Sequence, residues 1–189
     1  TFSFLINLLN LYPQISCLLK TAYLSAPIYA LPLLSFTLRP PLFYIHFFIM
    51  RLDRIIVGEV RGGEALDMLQ AMNTGHDGSL STGHSNSPKD MLSRIETMAL
   101  SGADLPLPAI RSQIAGALDI IVHLGRLRDR SRRVLEIVEV GEYRDGEIEL
   151  FPLFSFEETG SDRDKVVGSL KPVGVLKNTQ KLVAAGYQL

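Results

Sequence analysis

A chain of 189 residues with a net charge of −1 is long enough for one domain with a sizeable core, and its balance gives no whole-chain argument for nucleic acid or an anionic membrane. Its single cysteine, Cys17, excludes an internal disulfide and a thiolate zinc site, which fits a reducing compartment. The averages conceal a break near residue 50. The first 49 residues hold no Asp, Glu or Gly, whereas residues 50–189 carry all 20 acidic side chains, 17 of the 19 basic ones and all 15 glycines.

Stretches 1–19 and 21–38 are uncharged and approach the roughly 20 residues of a membrane span. Asn7, Asn10, Pro13 and Gln14 interrupt the first, Pro27 and Pro32 the second, and no regular periodicity persists. The start lacks the basic residues and cleavage site of a secretory signal. Three readings stay open: a segment foreign to the domain through upstream or out-of-frame translation, a membrane-associated hairpin, or a buried apolar extension. The division is therefore 1–49, of doubtful origin, and 50–189.

From Met50 the pattern is regular. Ile55-Ile56-Val57, bounded by charge, reads as a buried strand. Residues 64–73 place Leu66, Leu69 and Met72 at three-residue spacing, with Gly75 as a stop, which predicts a helix. Residues 78–83 predict a second strand of the same sheet. Ser87-Pro88-Lys89-Asp90 has a cap, a first-turn proline and a capping-box acid, followed by the stripe Met91, Leu92, Ile95, Met98 and Ala99. Ile110, Ile114 and Leu118 mark a helix over 105–118, and 119–124 is strand-like.

Next comes an arginine-rich turn, residues 126–133, then a strand over 134–140. Asp145-Gly146 predicts a hairpin turn, with Ile148, Leu150, Phe154 and Phe156 continuing beyond it. Residues 160–168 read as a loop and 175–185 as a final helix. The expected fold class is α/β, a sheet with an antiparallel edge.

Chemistry concentrates in two places. Asp53–Gly63 ends an apolar strand in Gly58 and Glu59, and the Gly62-Gly63 pair would let backbone approach a ligand closely. A carboxylate at a strand's carboxyl end is placed to hold magnesium through water or to orient a water for attack on phosphorus. Gly75–Ser87 then supplies His76, His84, three serines before Ser87, Thr82 and Asn86 around a short strand, groups suited to a γ-phosphate.

Together Arg54–Gly63 and Gly75–Ser87 resemble the Walker B strand and the histidine box of type II/IV secretion ATPases, in a spelling closest to the Tad/CpaF-type pilus-assembly ATPases. The resemblance covers about 140 residues, departs at Leu52, where proline is expected, and weakens after Glu157. It implies the C-terminal part of a RecA-like P-loop NTPase core that assembles as a hexameric ring, binds ATP and Mg2+ and drives pilus assembly or export. It also implies a cytoplasmic site peripheral to the inner membrane, with membrane platform proteins as partners and no nucleic acid. Carried over, Glu59 acts on the attacking water and holds Mg2+ through water. Arg61 links the strand end to the nucleotide. Thr82 and His84 sense the γ-phosphate, and His76 takes a more structural share.

Bland readings stand beside these. His76 and His84, eight residues apart, make a poor zinc pair, and His123 reads as a core or edge residue. His46 lies in the doubtful segment and receives no role. The arginine run is a solvated hairpin turn or an inter-subunit contact facing a neighbour's nucleotide. Met68, Met72, Met91 and Met98 are core. A nucleic-acid translocase of the same fold lacks support, since no basic stripe with interleaved aromatics appears. The phosphate-binding loop G-x-x-x-x-G-K-[ST] occurs nowhere. The expectation is a truncated motor with its P-loop strand missing, an unpaired sheet edge in that strand's place, and little or no ATPase activity by itself. A non-catalytic assembly or membrane-held module is the alternative.

Overall fold

The computed structural model describes the backbone of Phe2–Ile6 and residues 54–162 and 164–187. Cys17, His46, Leu52 and the membrane-span candidates, apart from Phe2–Ile6 of the first, which form a strand, lie outside the described residues. A seven-stranded sheet runs in the order β2-β3-β1-β4-β5-β6-β7. Its strands are β1 (Phe2–Ile6), β2 (Ile56–Val57), β3 (Leu80–Gly83), β4 (Ile120–Arg126), β5 (Arg132–Arg144), β6 (Glu147–Asp162) and β7 (Lys165–Pro172). Four helices accompany them: α1 (Glu64–Met72), α2 (Pro88–Gly102), α3 (Leu107–Ala117) and α4 (Gln180–Ala184). Strands β2 and β3 pair in parallel, and all other described pairs are antiparallel.

Period-two alternation divides the core between the faces of the sheet. Ile121, Val138 and Val140 face α1, α2 and α3, packing with Leu69, Met91, Ile95, Ile110 and Ile114. Their neighbours Ile120 and Ile137 turn the other way, joining Leu153 and Leu182 under the C-terminal segment. Helix α2 starts as its sequence predicts, with Ser87 Oγ accepting from the Asp90 N–H at 3.1 Å. Asp145 (φ 53°) and Gly146 (φ 88°) form the two-residue turn that the twist of a hairpin demands.

Four expectations need correction. The strand at 55–57 is not buried along its length: Ile55 is buried, but Ile56 is 65% exposed because β2 is an edge strand. Residues 160–168 form no open loop, because β6 continues to Asp162 and β7 starts at Lys165 as a hairpin. The Asp129 carboxylate, which accepts from the Val166 N–H at 2.9 Å, fixes the first turn of that return strand.

The helix expected over 175–185 shrinks to α4, whereas 173–179 belongs to no helix or strand. There the N–H groups of Lys177 and Asn178 donate to the buried Glu139 carboxylate at 2.9 and 2.6 Å, which leaves them out of any helix. Finally, no gap opens between β3 and β4. Strand β1 lies between them, with Leu5 opposite Ser81 on one side and Ile121 on the other.

Candidate functional site

Two parallel strand ends place the cluster. Leu80 N–H donates to Ile55 O and Val60 N–H to Thr82 O, so the chain leaving β2 stays beside β3 past Gly58. The Thr82 hydroxyl tightens this by donating to Gly58 O at 2.5 Å. Glu59 therefore projects beside His84, the first residue after β3. Its Oε1 lies 3.1 Å from His84 Nε2, and its Oε2 accepts from Arg61 Nη2 at 2.6 Å. Both carboxylate oxygens are engaged. The Arg61 hydrogen bond holds the Glu59 carboxyl below its usual range, helped by the charges of Arg61, His84 and Arg94 and opposed by partial desolvation.

The loop after Glu59 is shaped by another carboxylate. Glu64 Oε1 accepts the N–H groups of Arg61 at 2.8 Å and Gly62 at 3.0 Å, and the Arg61 N–H bond in particular depresses the Glu64 pKa. Gly63 answers a packing need instead of a ligand's. A Cβ there would lie 2.8 Å from Gly102 Cα, and one on Gly102 would lie 2.6 Å from Gly63 O. The start of α1 and the end of α2 touch backbone to backbone at Gly63 and Gly102.

The histidines of the box stand at opposite ends of β3. His76 precedes the strand, is 6% exposed, and has Nδ1 3.0 Å from Ala71 O at the end of α1. Glu59, Arg61, Thr82 and His84 are brought together, whereas His76 lies apart from them, buried beside the end of α1. His123 is buried on β4, and burial lowers its pKa.

Sequence reasoning missed Arg94, one helical stripe behind the box. It shares a shallow cleft with His84, Ser85, Asn86, Asp90 and Ser93, and its charge reaches Glu59. Its position on α2 is the signal: Ser87 fixes the helix start, and Arg94 then falls two turns in, on the side facing the box.

The donor set decides how far this is a nucleotide–magnesium site. Glu59 is the carboxylate of the cluster, already paired to two nitrogen groups. Among the described residues no group of three or more His, Cys, Asp or Glu could hold a metal ion. The residues present do not fit a self-sufficient magnesium–ATP site, because the grip on phosphate that a glycine-rich loop gives is absent from the sequence.

Residues 46–172 match the family model described as Type II/IV secretion system protein. A putative conjugal transfer protein of Mycobacterium tuberculosis is 47% identical over 89 residues, 47% of this chain and 25% of that protein. The probable conjugal transfer protein TrbB of Sinorhizobium fredii is 39% identical over 101 residues, 53% of this chain and 30% of its own. Type IV secretion system protein VirB11 of Brucella suis is 33% identical over 103 residues, 53% and 26% respectively. The crystal structure of a Brucella suis VirB11 ATPase with sulphate aligns at a TM-score of 0.49 with 28% identity, covering 52% of this chain and 32% of that one. The chain thus spans between a quarter and a third of the length of these relatives.

Proposed function

We propose a function from one established fact: the chain belongs to the type II/IV secretion system protein family. Its parent activity is ATP hydrolysis coupled to pilus assembly or export, and this chain carries the water-activating and phosphate-sensing side of that site. The Glu59–Arg61–His84 cluster at the carboxyl end of β2 is the observation that supports the reading. In it Glu59 orients the attacking water, Arg61, Thr82 and His84 face the nucleotide, and His76 braces the turn into β3. The finer reading is a Tad/CpaF-type, RecA-like subunit of a hexameric ring, working with ATP and Mg2+ at the cytoplasmic side of an inner-membrane platform. Among the described residues no helix is long and apolar enough to cross a membrane.

This polypeptide by itself is ATPase-deficient. The alternative, a non-catalytic piece of a secretion ring, draws on the same two observations: no phosphate loop in the sequence, and a Glu59 carboxylate with both oxygens engaged. Purified chain with magnesium and ATP should release phosphate no faster than a protein-free blank; turnover typical of a secretion motor would refute this. Joining the chain to the phosphate-loop half of a relative tests the parent activity. That fusion should hydrolyse ATP, and Glu59→Gln should slow it by roughly 10²–10⁴-fold, the range of a lost general base. A folded, ATP-hydrolysing fusion indifferent to Glu59→Gln would remove Glu59 from the mechanism.

A further inference from the structure

The two ends of the long strand β5 carry opposite charge and are each held rigid. At its start, residues 126–133 contain five arginines and Asp129, a net charge of +4. Asp129 points inward: Oδ1 accepts the N–H and hydroxyl of Ser131 at 2.9 and 2.6 Å, and Oδ2 accepts the Val166 N–H. Arg128 pairs with Glu158, whereas Arg126, Arg130, Arg132 and Arg133 are exposed and make no ion pair among the described residues. Register sets Arg126 directly opposite Arg132, a like-charge pairing that costs stability in a sheet. A solvated turn has no need of that cost.

At the other end, residues 142–149 contain Glu142, Asp145, Glu147 and Glu149 against Arg144, a net charge of −3. Arg111 pins this turn by donating to Gly146 O at 2.5 Å while paired to Glu96. Thirteen residues of β5 separate the ends, roughly 40 Å at about 3.3 Å per residue. One chain cannot bring the two turns together.

We propose that the arginine turn at 126–133 docks on the acidic β5–β6 turn of a second copy of this chain, a head-to-tail contact. The two patches are complementary, pre-ordered and out of each other's reach, which is the condition for a heterologous interface that repeats from copy to copy. The contact deepens the ring reading above and rests on it for closure of the assembly.

Sedimentation velocity on the full chain tests it. Wild-type protein should associate at low salt and return to monomer near ~1 M salt, where the screening length falls to about 3 Å. The triple reversal Arg130→Glu, Arg132→Glu and Arg133→Glu should remain monomeric at low salt, with an unchanged circular dichroism spectrum. So should Glu142→Lys combined with Glu147→Lys and Glu149→Lys. An equimolar mixture of the two reversed chains should associate again, because each turn then meets its opposite. Reversed chains that assemble like wild type would overturn this contact and leave the ring reading standing. Wild-type protein that is monomeric at low salt would also overturn this contact.

Discussion

At the scale of single residues, carboxylates organise this molecule by accepting backbone hydrogens. Glu64 shapes the loop after Glu59, Glu139 holds the C-terminal segment, and Asp129 ties the β4–β5 turn to β7. Ser131's hydroxyl, with the Val166 and Ser131 N–H groups, holds the Asp129 carboxyl down at about 2. The unfolded value is about 3.9, so the folded state is the stronger acid. Its contribution to stability is therefore complete above about pH 4 and is lost as pH falls toward 2. Asp129→Asn should speed hydrogen exchange at the Val166 and Ser131 amides at neutral pH; unchanged exchange would mean that the carboxylate does not hold the turn. Glu59 and His84 could be named as candidate site residues from the sequence, since their motifs fix both residue type and strand end. The engagement of both Glu59 oxygens could not, because it depends on the distance across two strands.

Among elements, the contact of α1 with α2 shows how glycine acts through space. Gly63 and Gly102 are 39 positions apart yet meet backbone to backbone, so neither tolerates a side chain without moving a helix. Gly63→Ala should cost about 1–3 kcal/mol, the usual cost of overpacking, and urea unfolding measures it as a lower midpoint at constant slope. An unchanged midpoint would show that the helices separate freely. Helix starts were legible where local chemistry sets them: Ser87 caps α2, and the apolar stripes of α1, α2 and α3 all face inward. The C-terminal helix was overestimated because its 3.6 pattern competes with Glu139, a partner 38 residues away. In sequence the β6–β7 hairpin resembles a loop, because its glycines and charges find their partners only across the hairpin and at Asp129.

For the molecule as a whole, among the described residues three helices pack on one face of the sheet and the segment 173–187 packs on the other. That cover is fastened at several points. Leu182 is 1% exposed among Ile120, Ile137 and Leu153, and Lys181 pairs with Asp119 at 2.9 Å and reaches Asp77 at 3.5 Å. Lys177 Nζ sits 3.3 Å from the Phe151 ring centroid. Leu182→Ala should cost about 2–5 kcal/mol in chemical unfolding, as for a buried leucine elsewhere. A loss below 1 kcal/mol would mean that the segment is a loose tail. Asp77 neighbours His76, so the same cover is tied to the loop that enters β3.

By itself the sequence determined the family, the α/β class, the order of most elements from residue 54 onward and the identity of the clustered side chains. Each of these follows from local patterns: apolar period, capping chemistry, turn residues and two motifs at a fixed separation. Tertiary structure alone decided which strands became edges, that β1 lies between β3 and β4, and where the carboxylates find their donors. Those outcomes depend on pairing between residues distant in the chain, where the energy belongs to the partner as much as to the residue, and a one-dimensional pattern names only one of the two.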